Sequence, residues 1–285
     1  MGGNSNIIRL RGLLAAALLG AVLAGAGGHS RAAEGTLHPG PQSWSFAGVF
    51  GQFDRAALQR GFQVYAEACS ACHSMQYVYY RNLGEPGGPG FGEAETRAIA
   101  AGFEVTDGPD ETGAMFTRPA LPRDHFASPF ANEQEARSAN GGALPPDLSV
   151  IAKARGIERG FPWWFIDLFT GYQEQGVDYV YALLNGYEEA PEGVTLQADM
   201  NYNRYFPGNQ IAMAPPLSEG IVEYHDGTEA TVPQMARDVA TFLMWAAEPT
   251  LEERKRAGFQ VILFLAVFAT LLYLTKKKIW ARIGH

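Results

Sequence analysis

Residues 69–73 read Cys69-Ser70-Ala71-Cys72-His73, and this short stretch decides which fold we expect. Two thiols three residues apart can reach the two vinyl groups of one porphyrin, and the histidine that follows then lies beneath the iron. The pattern C-x-x-C-H is therefore the attachment signature of a c-type haem. The chain of 285 residues contains no other cysteine, so none competes for this role.

Three other uses of the cysteine pair are a redox dithiol, a structural disulfide and half of a zinc site. A thioredoxin-like dithiol is expected in a βαβ context, whereas residues 54–68 predict a helix. Asp54 suits its N-cap, and apolar residues follow at helical spacing at Leu58, Phe62 and Tyr65. A zinc site needs a second pair of ligands, and the remaining candidates are scattered at His38, His125 and His225. Haem attachment is the interpretation that fits best.

The first 33 residues predict a secretory signal peptide that is removed. Arg9 and Arg11 precede an apolar run from Leu13 to Ala26, and the small residues from Ser30 to Ala33 suit a cleavage site. The apolar run is shorter than the ~20 residues that a membrane span needs. An uncleaved anchor is the alternative. Export would place the cysteines outside the cytoplasm, where haem is attached covalently.

A second apolar stretch, Gly258 to Thr275, holds 18 residues without a charge. Basic clusters flank it at 254–256 and 276–278, which is rare for the alternative, a buried core helix. We therefore predict a single transmembrane helix at about 258–275, in a bacterial inner membrane. The expected domains are a signal peptide at 1–33, a periplasmic haem domain at 34–250, and an anchor with a short cytoplasmic tail at 251–285.

The charge of the chain is unevenly placed. The whole chain has a net formal charge of −8, but residues 34–250 hold 12 basic and 28 acidic residues, a net charge of −16. An acidic head argues against a nucleic-acid partner, because phosphate binding needs a basic face. It is suited to steering a basic soluble partner. A simply solvated surface is the alternative, above all for the loop carboxylates Glu85, Glu93, Asp107, Asp110 and Glu111.

An electron-transfer haem needs a sixth ligand opposite the histidine. The exported residues that could supply it, besides the three scattered histidines, are Met75, Met115, Met200, Met213, Met235 and Met244. Met75 is too close to His73 to cross the porphyrin, and two others fall in the helical pattern of residues 233–248. Met213 precedes two prolines in a non-helical segment that holds its thioether in place. From spacing alone, Met213 is equally compatible with a packing role.

With these residues in place, the sequence closely resembles the cytochrome c1 family, the haem subunits of ubiquinol–cytochrome c reductase (cytochrome bc1) complexes. The resemblance covers nearly the whole chain after the signal peptide. The matching motifs follow in the expected order: CSACHSM at 69–75, NGGALPPDLS at 140–149, NRYFPG at 203–208, AMAPP at 212–216 and WAAEP at 245–249.

The resemblance implies one covalently attached haem c and a set of site residues. Cys69 and Cys72 would form the thioethers, and His73 and Met213 would be the axial ligands of the iron. The residues implied to line the haem are Asn140, Pro145, Pro146, Arg155, Tyr179 and Leu183. A guanidinium can hold a carboxylate bidentately, so Arg155 would lie near a propionate; an ordinary surface cation is the alternative. Tyr179 and Leu183 fit a helix from Asp178, where they would serve equally well as core.

The implied fold is a mainly α-helical, class I cytochrome c-like haem domain with long loops and one C-terminal transmembrane helix. Helices at 54–68 and 233–248 would pack near the haem, and we expect residues 220–232 to form a short hairpin. Gly84 to Gly90 is a loop by composition, and no functional residue is assigned to residues 84–138.

The implied function is electron transfer within a quinol–cytochrome c reductase, an oxidoreductase and translocase. The donor would be the Rieske iron–sulfur protein and the acceptor a soluble basic cytochrome c. The membrane helix would pack beside cytochrome b, in a dimeric complex. The chain shows no signature of an independent catalytic site, such as a phosphate-binding glycine loop or an H-E-x-x-H pair.

Three rival functions remain distinguishable. A membrane-anchored mono-haem cytochrome could act as a carrier or in an oxidase. A haem peroxidase would need an open sixth position, so Met213 would not be a ligand. A haem-free binding protein would carry a Cys69–Cys72 disulfide instead.

Overall fold

The computed structural model describes residues 37, 39–156, 161, 162, 166 and 175–281. All of these belong to one compact unit. The predicted signal peptide at 1–33 and His38 lie outside the described residues.

The described residues are mostly helical with little sheet, as the sequence predicts. In chain order the α-helices are α1 (Arg55–Val64), α2 (Glu93–Ala101), α3 (Glu133–Ala139), α4 (Ile151–Ala154), α5 (Gln175–Asn185), α6 (Val232–Ala247) and α7 (Leu251–Trp280). Shorter turns are the π-helix Tyr65–Cys69 and the 3-10 helices Tyr80–Gly84 and Pro207–Asn209. Two antiparallel hairpins pair β1 (Glu104–Asp107) with β2 (Phe116–Pro119) and β3 (Asn201–Tyr202) with β4 (Gln210–Ile211).

The core forms where α1 crosses α6. The carboxylate of Asp54 caps α1 by accepting the N–H groups of Ala56 and Ala57, as expected for an N-cap. At the crossing, Gly61 lets the helices approach so closely that a Cβ on it would lie 2.1 Å from the carbonyl oxygen of Asp238. Arg60 neutralises the buried Asp238 carboxylate at 2.9 Å. The two predicted helices at 54–68 and 233–248 are therefore confirmed, and they pack on each other.

The hairpin predicted at 220–232 is wrong, because residues 220–231 form turns and irregular structure without strand pairing, and Val232 already begins α6. Val222 and Tyr224 are buried in the core instead. The carbonyl oxygen of Glu223 accepts a hydrogen bond from the Gln63 side chain, so α1 takes the place of a partner strand. The Asp226 carboxylate accepts hydrogen bonds from the N–H of Thr228 and from the guanidinium of Arg60, and these bonds fix the turn on α1. They also hold the pKa of Asp226 down to about 2.

Helix α7 contains the predicted transmembrane stretch. It is 30 residues long, and the most apolar part has a mean hydropathy of 2.2 with no share of it buried in the protein. The first residue, Leu251, is buried against the head, whereas the side chains from Arg256 onward are exposed. The alternative of a buried core helix does not hold. A helix of this length and composition can cross a bilayer, so the structure supports a membrane anchor.

Candidate cofactor site

The two cysteines lie at the carboxyl end of the α1 segment. The π-helix ends at Cys69, where the N–H of Ser70 donates to the carbonyl oxygen of Tyr65 at 2.8 Å. The chain then turns tightly, with the N–H groups of Cys72 and His73 both donating to the carbonyl oxygen of Cys69, at 3.1 and 2.9 Å. This turn brings both thiols and the imidazole to the same end of the helix.

The thiols are not arranged as a redox dithiol. Both are free, with Cys69 half-buried and Cys72 exposed. Burial raises the pKa of the Cys69 thiol to about 12. Redox-active cysteines have the opposite property, a lowered pKa, and commonly lie at a helix N-terminus rather than at its carboxyl end. The burial of Cys69 and its position at the carboxyl end of the helical segment therefore disfavour the dithiol alternative.

His73 is held in the tautomer that suits a metal ligand. Its Nδ1 lies 2.8 Å from the carbonyl oxygen of Pro146. Burial lowers the pKa of His73, against smaller opposing effects of this hydrogen bond and of Asp147, so the ring is neutral at pH 7. Because Nδ1 carries the proton and donates it in a hydrogen bond to the carbonyl oxygen, Nε2 keeps its lone pair. A ring nitrogen oriented in this way by a backbone carbonyl is the usual arrangement of a metal-bound histidine.

A second segment, residues 146–149, is joined to the residues that follow His73. The N–H of Leu148 donates to Ser74 O at 2.8 Å, and the Asp147 carboxylate accepts from the Ser74 hydroxyl and the Gln76 N–H at 2.8 and 2.9 Å. These bonds place Pro146 against His73. The sequence did not single out Asp147, because the motif does not reveal that its carboxylate connects the two segments.

Asn140 and Pro145 precede the 146–149 segment in the chain. The Asn140 side chain donates to the carbonyl oxygen of Ala136 at 2.7 Å and so caps the carboxyl end of α3. Pro145 is half-buried and Pro146 is exposed. Their predicted contacts with haem stay predictions.

Arg155 and Tyr179 come together where α4 meets α5. Gly176 allows this contact, since a Cβ there would lie 1.8 Å from the carbonyl oxygen of Ala152. Burial raises the pKa of the Tyr179 phenol, and the positive charge of Arg155 acts in the opposite direction. Arg155 itself is exposed. One turn further along α5, Leu183 is half-buried.

Met213 is held in place by hydrogen bonds to its main-chain carbonyl group. Its carbonyl oxygen accepts hydrogen bonds from the Tyr187 hydroxyl at 3.2 Å and from the Asn201 side-chain amide at 3.4 Å. Tyr187 follows α5, and Asn201 begins strand β3. Neither residue was predicted, since hydrogen bonds between loops leave no periodic pattern in a sequence.

The NRYFPG motif explains how this loop is fixed. Asn203 is fully buried. Its side chain donates to Leu183 O at 2.8 Å, and its N–H donates to Asn209 O at 3.1 Å. Gly186 leaves room for the ring of Tyr205, which a Cβ would approach to 2.6 Å. The motif thus attaches the β3–β4 hairpin to the end of α5. The hairpin itself ends two residues before Met213.

The other candidate sixth ligands occupy different environments. Met75 and Met235 are fully buried in the core, and Met244 is nearly so. Met115 is exposed, His125 stacks on Tyr79 with ring centroids 3.8 Å apart, and His225 is exposed. Met200 borders a groove of about 690 Å³ beside β3. Among the described residues, no group of three or more His, Cys, Asp or Glu side chains could hold a metal ion.

Comparison with known proteins gives one family. The family model described as the Cytochrome C1 family matches residues 44–283. "Cytochrome c1" of Blastochloris viridis is 51% identical over 250 residues, 87% of this chain and 88% of that protein. "Cytochrome c1, heme protein, mitochondrial" of Saccharomyces cerevisiae is 46% identical over 253 residues, 88% and 75% of the two chains.

A longer relative matches as well. "Cytochrome b/c1" of Bradyrhizobium diazoefficiens is 57% identical over 263 residues, which is 92% of this chain. The chain spans only 38% of the length of that protein.

Proposed function

The chain belongs to the cytochrome c1 family, and we propose that it passes electrons from a Rieske iron–sulfur protein to a soluble cytochrome c within a cytochrome bc1 complex. It is a membrane-anchored protein that carries haem c. The quinol–cytochrome c reductase activity belongs to the assembled complex, with this chain as its haem-bearing electron-transfer subunit.

The observation that carries the proposal is the hydrogen bond between His73 Nδ1 and the carbonyl of Pro146. It fixes the ring and leaves Nε2 for iron, beside two free thiols at the spacing that attaches a porphyrin. When bound, the haem supplies a site that takes up and releases one electron without making a bond to substrate. Methionine–histidine ligation raises the reduction potential of such a site.

The side chains of this chain hold and tune the group. Cys69 and Cys72 would fix it covalently, and His73 and Met213 would be its axial ligands. Arg155 lies at the surface beside Tyr179, where a guanidinium can pair with a carboxylate of the bound group. Tyr179 and Leu183 lie on one face of α5. Pro146 is hydrogen-bonded to His73, and Asn140 and Pro145 precede it in the chain.

We infer the following placement in the cell. Residues 1–33 are removed after export, residues 34–250 form the periplasmic head, and 251–285 are the anchor with a cytoplasmic tail. The triple-basic tail at 276–278 supports this orientation. The inner membrane of a bacterium is the expected site, with α7 beside cytochrome b and the complex a dimer.

Absorption spectra of the detergent-purified protein test the ligand set. We expect a c-type α-band on reduction with dithionite, a pyridine haemochrome with both thioethers, and a methionine–sulfur band in the oxidised form. Met213→Leu should lose the sulfur band and fall in reduction potential while keeping the haemochrome.

Other outcomes point to the rivals. A mutant spectrum identical to wild type would make Met213 a packing residue and move the sixth ligand to Met200 or a histidine. Ready binding of cyanide by the wild type would indicate an open position, as in a peroxidase. A protein without haem would revive the disulfide alternative.

A further inference from the structure

The segment from Trp44 to Phe53 forms a loop whose arms are buried and whose tip is exposed. Trp44, Phe46 and Phe53 pack in the core, with the rings of Phe46 and Phe53 4.9 Å apart. Between them, the side chains of Val49 and Phe50 are 49% and 77% exposed. Two neighbouring apolar side chains therefore project from an otherwise anchored loop, which we call the 47–51 loop.

The backbone holds this tip in a fixed shape. Gly48 adopts a φ of +74°, which favours glycine. A Cβ on Gly51 would lie 2.0 Å from the carbonyl oxygen of Ala47, so only glycine fits there. The Gln52 N–H donates to Ser45 O at 3.1 Å and closes the loop. The exposure of Phe50 is thus built into the loop.

The 47–51 loop is fastened to the first turns of α7. The Lys255 ammonium donates to the carbonyl oxygen of Phe46, and the Glu252 carboxylate accepts the N–H of Phe53 at 2.9 Å. At the tip, the ring of Phe50 meets that of Phe259 edge-on, with centroids 5.4 Å apart. Residues 252, 255 and 259 share one face of the helix. Loop and helix therefore form one unit.

We propose that the 47–51 loop is a second membrane contact, with Val49 and Phe50 inserted at the boundary between lipid headgroups and acyl chains. Phe259 belongs to the first turn of the uncharged stretch 258–275, so insertion of α7 brings Phe50 to the membrane surface. Apolar side chains, including Phe, enter that level of a bilayer. The exposed Arg256, one turn before Phe259, suits anionic headgroups there.

Photo-crosslinking tests this contact in the full-length holoprotein. The photoreactive residue p-benzoylphenylalanine replaces Phe50 and, in a second variant, Val49. The control carries it at Phe116, an exposed aromatic residue of β2 in a different part of the head. Irradiation is carried out in the membranes in which the complex assembles, and adducts are identified by mass spectrometry. An unchanged reduced haem spectrum shows that each variant is folded.

We expect phospholipid adducts at positions 49 and 50, at least about fivefold above the yield at position 116. Adducts with another protein subunit and none with lipid would overturn the proposal and assign the loop to a subunit interface. Equal lipid yields at positions 50 and 116 would also overturn it. None of these outcomes depends on which residue is the sixth haem ligand.

Discussion

At the scale of single residues, the carbonyl oxygen of Met213 is the point on which two side chains converge. Tyr187 and Asn201 come from different parts of the chain and donate to the same oxygen. A peptide group held from two sides has little freedom to rotate. The hydrogen bonds therefore act on the position of the thioether through the main chain, even though neither group is bonded to the sulfur.

Removing one of these donors should weaken the proposed ligation of the haem iron by Met213. A neutral hydrogen bond contributes about 1 kcal/mol, so Tyr187→Phe should make imidazole displace the methionine about fivefold more readily. The reduction potential should fall and the sulfur band of the oxidised protein should weaken. Imidazole titration and a redox titration measure both effects.

A matched control is Tyr80→Phe, which also removes a tyrosine hydroxyl bonded to the backbone, although this hydroxyl accepts the N–H of Ala127. It should leave the imidazole affinity and the potential unchanged. Equal effects of the two substitutions would mean that general loosening of the head, and not the Met213 carbonyl, governs ligation.

At the scale of helices and strands, the crossing of α1 and α6 depends on Gly61. Gly61→Ala places a Cβ 2.1 Å from the carbonyl oxygen of Asp238, and backbone must move to relieve it. Overpacking of this kind costs about 2 kcal/mol, which for a head of this size lowers Tm by roughly 4–8 °C. Thermal unfolding followed by circular dichroism measures the shift. Gly40→Ala, where nothing lies within 4 Å, should leave Tm almost unchanged, and a stable Gly61→Ala would contradict the close crossing.

The junction of α4, α6 and α7 should be sensitive to acid. Burial alone would raise the pKa of Glu248, but hydrogen bonds from Lys153 and Arg254 more than offset it, and the pKa is lowered. A carboxylate with a lowered folded pKa stabilises the protein above its unfolded pKa of about 4.3, and this contribution is lost as the pH falls through the folded value.

Glu248→Gln should therefore be less stable than wild type at pH 7. The loss should be only about 1 kcal/mol, because the partners of Glu248 are half-exposed. The difference should shrink as the pH is lowered from 5 to 3. Denaturant unfolding at a series of pH values checks this. A difference that stays constant over that range would show that the ion pairs do not contribute.

The elements that the sequence predicted are those with local signals. Asp54 capped α1 as expected, and the apolar spacing of residues 233–248 matched α6 to within a residue at each end. The failure at 220–232 has a different origin, since Tyr224 reads as a strand residue but packs into the core between α1 and α6. The turn signal Asp226-Gly227 that favoured a hairpin cannot show whether a strand or a helix will take up the neighbouring backbone groups.

The candidate site divides in the same way. The C-x-x-C-H segment could be identified from spacing because its chemistry is local. Tyr187, Asn201 and Asp147 could not, since each acts on a residue between 12 and 73 positions away. Contacts of this kind exist only after the β3–β4 hairpin and the 146–149 segment have docked.

At the scale of the whole molecule, the head carries a charge of −16. Several carboxylates considered for docking have local partners: Asp107 pairs with Arg118, Glu93 with Arg97, and Asp110 with its own loop. Steering should therefore come from the summed field of the head more than from one cluster. Electron transfer to a basic soluble cytochrome c should slow at least about tenfold as ionic strength rises from ~0.01 to ~0.3 M.

Stopped-flow kinetics across a salt series measure this dependence. An acidic soluble acceptor serves as the control, and its rate should rise or stay level as salt screens the repulsion. A rate to the basic cytochrome that is independent of ionic strength would refute electrostatic steering.

The crossing of α1 and α6 also affects the order in which parts of the protein fold. Arg60 and Asp238, which pair across it, are 178 residues apart in the chain. Contacts between such distant segments form late, so the head cannot acquire its core progressively while the chain is being synthesised. During that interval the cysteines belong to an open chain. Attachment of haem to these cysteines, as proposed above, would then meet two accessible thiols rather than the half-buried Cys69 of the folded head.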